Sequence, residues 1–497
     1  MEPAPARRTY GNWRLPAVPG LWRLGLAPTV CLGVVGFTAL IVFNLTGLAP
    51  TLVFLVVALP PFALLVKPRT GGNTRLQDYV ARAAGARARW RGEALYRSGP
   101  LGLVPCGTHR LPGLLAASEL SQAQDAHGRL FAVLAHPHVR HLTVVLESEP
   151  DGATLADQAQ VDQWVAHFGD WKARLSREPG LIAAQISIES SPDPGTRLAH
   201  MLDGRRSGSA PQYADEVVGD LRAENSSGAA QLQARIALIY RTYAPGGRRL
   251  PIADKAQEIA LRLPNLARGL AATGAGVAVP VDAQRLCQIA RAAYDPNAAD
   301  KLEAAQLADR PVLSWGDVGP VSAQALSGCY RHDGAVSVTW ELAEPPRSGV
   351  FETVLAELLA PHPMIPRKRV TLLYRVLSPA ESARAVDDDL KAAGFGVTSK
   401  KRPTYRDHRE LDAAKATAQA EALGSPVIDF GMLVTATALD EQQLPDVVTA
   451  VENAAPTARV DLRVVTDSQD SAFAAALPLG VWLPEYKRIP ESYRRML

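Results

Sequence analysis

From Leu24 to Val66 the chain carries no Asp, Glu, Lys, Arg or His, and beyond it the apolar positions fall into short periods of two or of about 3.6. The uncharged stretch is interrupted over Asn44–Pro50 by Asn44, Thr46, Gly47 and Pro50. Roughly 20 apolar residues cross about 30 Å of hydrocarbon as a helix. The stretch therefore predicts transmembrane helices at about 24–44 and 49–66, with Pro60–Pro61 kinking or breaking the second. A second apolar block follows the first at once and basic residues close it off, which argues against a cleaved signal peptide.

After a basic linker or short helix over 75–91, segment 93–98 reads as a strand. Leu142, Val144 and Leu146 alternate with Thr143, Val145 and Glu147, so 128–135 and 140–147 are expected as two strands around a His-Pro-His turn. Val161, Trp164, Val165, Phe168 and Leu175 recur at helical spacing and predict a helix over 154–176, closed by Pro179–Gly180. Ile182, Ala184, Ile186 and Ile188 mark a strand at 181–190. A polar helical stretch to about 222, a strand at 231–240 and helices at 252–272 and 281–294 follow.

Segment 295–328 is weakly patterned, and then the rhythm repeats. Strands are expected at 334–341, 368–377, 426–437 and 458–465, with helices at 349–359, 378–394, 408–423, 440–454 and 468–477. This order predicts an α+β fold: an N-terminal transmembrane helical hairpin, then a two-part cytoplasmic α/β body of split βαβ type. The division is a basic tail over 1–23, the hairpin over 24–66, a basic juxtamembrane linker over 67–91, and subdomains over 92–295 and 296–497.

Charge sharpens this picture. Residues 1–23 carry a net +3, residues 67–91 a net +6 and residues 24–66 none, so against the whole-chain +3 residues 92–497 carry −6. Arg-rich flanks on both sides of the hairpin predict a multi-pass protein of the cell membrane with both termini cytoplasmic, contacting the bilayer through 24–66. Trp13 and Trp22 stand where indoles mark an interface. A net-acidic body is a poor clamp for nucleic acid, so no direct nucleic-acid partner is expected. Cys31, Cys106, Cys287 and Cys329 are scattered without a C-x-x-C, which disfavours a zinc ribbon, a redox pair or a disulfide framework.

Candidate chemistry is sparse. A P-loop needs Lys directly after Gly, and no Gly-Lys dipeptide occurs. Gly274-Ala-Gly276 lacks a third glycine and reads as a turn. His127, His136, His138 and His141 cluster in sequence, and imidazoles from adjacent strands could ligate a metal, but no nearby Cys or carboxylate completes a set. Asp387, Asp388 and Asp389, expected early in a helix, read as complements of its dipole. There is no G-x-S-x-G elbow, and the Asn225-Ser-Ser sequon has no meaning at a cytoplasmic position. No catalytic, cofactor-binding or metal-binding residue is assigned, and the chain is expected to be non-enzymatic without a cofactor.

Several segments carry a resemblance. They are Trp164-Val-Ala-His-Phe-Gly-Asp-Trp171, Leu175-Ser-Arg-Glu-Pro179, Pro192-Asp-Pro-Gly195, Tyr330-Arg-His-Asp333 and Pro361-His-Pro-Met-Ile-Pro-Arg-Lys-Arg-Val-Thr-Leu-Leu-Tyr-Arg375, followed by Phe430-Gly-Met-Leu-Val-Thr-Ala-Thr437 and Ser468-Gln-Asp-Ser-Ala-Phe-Ala-Ala-Ala-Leu-Pro-Leu-Gly480. With them the body resembles the front domain of conjugation and type IV secretion ATPases, and the hairpin resembles the PrgI-like two-helix subunit of those machines. Over nearly its whole length the chain is similar to a family of membrane proteins from conjugation-like or secretion-like clusters of GC-rich Gram-positive bacteria. In the ATPases a similar Phe…Leu-Pro element ends the front domain just before the motor, whereas this chain ends 17 residues after Gly480.

The resemblance implies a structural component of a type IV secretion-like or conjugative transfer apparatus, part of an oligomeric complex with other membrane subunits and docking a separately encoded ATPase. Two alternatives stay open, a subunit of an ESX-type secretion complex and a membrane-bound enzyme with an unrecognised site. Trp164, Phe168 and Trp171 are expected either in the core or on a docking face, with the core the favoured place for Trp164 and Phe168.

Overall fold

Along Leu181–Pro192 successive side chains point to opposite sides of a strand: Ala184, Ile186 and Ile188 join one apolar cluster, while Gln185, Ser187 and Glu189 are buried on the other side. A similar division runs through the central strands, giving the sheet one apolar buried face and one where buried polar and apolar residues mix. The computed structural model describes residues 8–13, 26–66, 75–100, 102, 104, 107–150, 152, 155–193, 201–202, 204, 211–225, 230–243, 250–308, 313–346 and 348–486.

Helices α1 (Leu26–Thr46) and α2 (Leu48–Val66) pack on each other and are followed by α3 (Arg75–Trp90). The two helices stand where the apolar blocks place them, but the membrane assignment is corrected. Among the described residues no helix is long and apolar enough to cross a membrane. The transmembrane hairpin over 24–66, the lipid contact through it, and the multi-pass membrane placement with cytoplasmic termini are therefore not retained. Nor does Pro60–Pro61 break the second helix, which continues to Val66. Val34, Phe37, Val53, Val56 and Val57 stay exposed on the pair.

The α+β body follows as β1 (Leu95–Arg97), β2 (Glu119–Gln124), β3 (Leu130–His136), β4 (His141–Ser148), α4 (Gln158–Leu175), β5 (Leu181–Pro192), α5 (Gln212–Asn225), β6 (Ala230–Arg241), α6 (Ile252–Ala271), β7 (Val279–Pro280), α7 (Ala283–Tyr294) and α8 (Ala299–Leu307). Then come β8 (Ser322–Ala325), β9 (Tyr330–His332), β10 (Ala335–Glu344), α9 (Ala356–Leu359), β11 (Arg367–Val376), α10 (Pro379–Thr398), α11 (Tyr405–Ala422), β12 (Ile428–Ala438), α12 (Leu444–Thr457), β13 (Asp461–Val464), α13 (Gln469–Ala476) and α14 (Leu483–Tyr486). All the described strands belong to one 13-stranded sheet with the main order β1-β8-β9-β10-β12-β11-β5-β6-β4-β3-β2.

The pairing repeats itself. In one unit the order is β7-β4-β6-β5 and in the other β13-β10-β12-β11, so each reads 4-1-3-2 in its own chain order, the split βαβ arrangement. Each unit is preceded by a hairpin, β2–β3 or β8–β9, that shares the outer edge of its first strand with the last strand of the unit. The equivalent strands β5 and β11 pair antiparallel, from Ala183↔Arg375 to Ser190↔Lys368. An antiparallel join of equivalent strands relates the units by an approximate twofold normal to the sheet, and so keeps their helices on one face.

On that face α4 and α6 cover the first unit through Trp171, Leu175, Ile259, Leu263, Leu266 and Leu270, and α9 and α12 cover the second through Leu358, Val447 and Val451. The Trp171 indole donates to the Leu266 carbonyl at 3.1 Å, satisfying its one polar atom inside the core. The helix expected at 349–359 shrinks to α9. Before it, 352–355 form a turn, and Val350 and Tyr10 exchange backbone hydrogen bonds of 2.8 Å in an isolated bridge, a contact between distant parts of the chain that local pattern does not announce.

Candidate functional site

The opposite face of the sheet buries Gln185, Ser187, Glu189, Thr339, Thr371 and Thr435 at its centre beside apolar positions such as Leu134, Val145 and Ala237, and the resemblance-bearing segment 468–480 lies on it. Gln185 Nε2 donates to the carbonyls of Ala475 (2.9 Å) and Leu477 (2.6 Å), and Thr371 Oγ1 donates to that of Ala476 (2.8 Å). Gln469 is fully buried; its side chain accepts from Thr339 N–H and donates to the Thr339 and Val465 carbonyls. Between these anchors Phe473, Ala474, Ala475, Ala476, Leu477 and Leu479 fill the apolar spaces beside α7. Gly480 closes the run at φ +73°, where a Cβ would stand 2.0 Å from Thr143 Oγ1, so no other residue fits there.

A buried charge cluster spans the join between units on this face. The Glu189 carboxylate accepts from Arg235 at 3.0 Å and Arg369 at 3.1 Å and pairs with Arg367 at 3.0 Å. Glu147 binds Arg235 and, in bidentate fashion, Arg285 through Nε and Nη2, each at 2.9 Å. Burial pushes both carboxyls up, but the guanidiniums outweigh it and hold each at about 2. Four cations thus enclose two anions, and the remaining donors reach Gln233, Gln306 and the Ala292 carbonyl.

The histidines are divided by the β3–β4 hairpin. His136 and His141 are cross-strand partners, both 2 % exposed, while His127 and His138 lie in turns. His136 Nε2 bonds the Leu479 carbonyl at 2.8 Å and its Nδ1 meets the Tyr486 hydroxyl at 3.3 Å. Burial drives both imidazoles toward the neutral form, His136 to about 4 and His141 to about 3, the latter also repelled by His136 and Arg241. Among the described residues no group of three or more His, Cys, Asp or Glu is placed to hold a metal ion.

The other candidates find structural places. Gly274 and Gly276 form a turn with φ +75° and +73°; a Cβ on the first would meet the Trp164 ring at 2.7 Å and on the second the Glu149 carbonyl at 2.2 Å. Trp171 is in the core, with Phe168 and Trp164 half-buried beside it. Asp387, Asp388 and Asp389 sit inside α10 rather than in its first turn, where Glu381 completes a capping box with Ser378. The Asn225 sequon runs into residues outside those described, as does Cys106.

One feature breaks the match between units. Where the first has α5 between its second and third strands, the second has the helical hairpin α10–α11, whose helices pack mainly on each other. No protein-family model and no curated protein matches the chain. The hairpin is an arm roughly 30 Å long, from the length of α10 at about 1.5 Å per residue. Its tip is basic: Lys400, Lys401, Arg402, Arg406 and Arg409 stand against Asp407 within 399–409. Lys400 binds Asp407 at 2.5 Å, and with the Thr404 N–H and hydroxyl it holds that carboxyl well below the usual range. Lys401, Arg402 and Arg409 have no ion-pair partner among the described residues. Phe395, Tyr405 and Leu423 are 71 %, 80 % and 82 % exposed. Asn12 clasps the arm to the N-terminal segment by donating to Thr417 Oγ1 at 2.9 Å.

Proposed function

We propose that the chain is a non-enzymatic docking component of a type IV secretion-like or conjugative transfer apparatus, and that its α10–α11 arm holds a separately encoded ATPase. The observation that carries the reading is the arm itself, which presents three large exposed apolar side chains and a basic tip on a body of net charge −6. Aromatic anchors beside unpaired guanidiniums suit a protein surface of acidic character, where they supply packing and steering together. The resemblance of the body to the ATPase front domain supports a partner of that class. The duplicated sheet beneath, keyed shut by 468–482, offers a rigid mount.

Co-purification of the full chain with ATPases encoded beside it is the test. The expected result is recovery of one ATPase at about 150 mM salt. Failure to recover any, with the chain folded, overturns the reading.

A further inference from the structure

A cavity of about 110 Å³ opens beside β1, the outermost strand at one end of the sheet, and is bounded by β8, β9, the C-terminal end of α7 and the first turn of α13. Tyr294 and Tyr330 form its inner wall and are 1 % and 3 % exposed. Their rings are fixed edge to face, with centroids 6.5 Å apart, and each packs on Phe473, at 5.1 and 5.3 Å. Neither hydroxyl has a hydrogen-bond partner among the described residues, so both remain available to an occupant of the cavity. Asp470 brings a half-buried carboxylate to the lining, whereas Glu93 is exposed and pairs with Arg91 at 3.7 Å, and the Tyr96 hydroxyl donates to the Arg110 carbonyl. Asp470 has no hydrogen bond or ion pair among the described residues.

We propose that this cavity binds a small organic cation, an ammonium or guanidinium group. The half-buried Asp470 carboxylate has no counter-ion among the described residues and so favours a cation beside it. Phenol oxygens accept from its N–H groups, and the aromatic wall attracts the charge through its π faces. An anion would be repelled by Asp470. The volume is well below the 300–1,000 Å³ typical of cofactor and drug-sized sites, so only a group of a few heavy atoms enters. Such a group has two sources, a free small amine or the side chain of a Lys or Arg on a partner protein.

The experiment uses the full chain labelled on tyrosine for NMR, titrated with methylguanidinium, methylammonium, neutral urea, acetate, and N-acetyl arginine methylamide as the side-chain probe. Saturable shifts of Tyr294 and Tyr330 are expected with the cations, with urea and acetate inert. Binding of the capped arginine as tightly as methylguanidinium assigns a protein side chain as the source; binding of the free cations alone assigns a free amine. Asp470→Asn is expected to weaken cation binding at least tenfold. Tyr330→Phe, which keeps the ring and its packing, is expected to weaken it severalfold, and circular dichroism confirms that both variants fold. Urea binding as well as methylguanidinium, cation binding unchanged in Asp470→Asn, or no shift with any probe overturns the proposal.

Discussion

Glu189 binds three arginines across the join between the two units, and its removal tests how much that join depends on it. Cutting one partner out of a buried ion pair leaves uncompensated charge and costs roughly 3–5 kcal/mol. Glu189→Gln strands Arg367 and Arg369 and leaves Arg235 with Glu147 alone, so urea unfolding is expected to show a loss of that order; a loss below about 1 kcal/mol would contradict the role given to the cluster. The pH dependence has a definite sign. Glu189 and Glu147 lie at about 2 in the folded state against 4.5 in the free residue, so their contribution is complete above 4.5 and is lost as pH falls toward 2. The signal for these residues stood in the chain as charges at inward positions of apolar strands, Glu189 beside Ile188 and Arg235 beside Ile236. Their mutual pairing depends on the antiparallel join of β5 with β11, which no local pattern encodes.

At the level of elements, 468–482 is the piece most open to control by pH. His136 and His141 are held neutral by burial, at about 4 and 3 against 6.5 in the free residue, so the stability they permit is complete above 6.5 and declines as pH falls below it. His136 holds the Leu479 carbonyl directly. Hydrogen exchange of 469–482 is therefore expected to rise between pH 6.5 and 4, ahead of the sheet strands; equal protection at both values would show that the imidazoles do not gate the segment. Most strands and helices of the body were legible because alternation and helical spacing report burial against a single face. β2 was not, since it is an edge strand of mostly polar residues with only Leu120 and Ala123 packing inward. The arm appeared as two helices, but its position outside the paired unit emerges only once the strand order is known.

For the whole molecule, the duplicated sheet is a scaffold that carries an arm with a basic tip on a body of net charge −6. Without a Gly-Lys there is no phosphate cradle of the P-loop kind, and titration with a labelled ATP analogue is expected to show no binding; micromolar affinity would reveal a nucleotide site of another design. DNA is expected to show no gel shift at about 150 mM salt, because five basic residues at one tip offer few phosphate contacts and such binding weakens steeply with salt. The decisive measurement is the affinity of the full chain for the co-purifying ATPase, compared with Lys401→Glu, Arg402→Glu and Arg409→Glu combined, a variant that spares the Lys400–Asp407 pair. A loss of at least tenfold, shrinking as salt is raised, is predicted for docking through the arm. Unchanged affinity in the folded variant would contradict it.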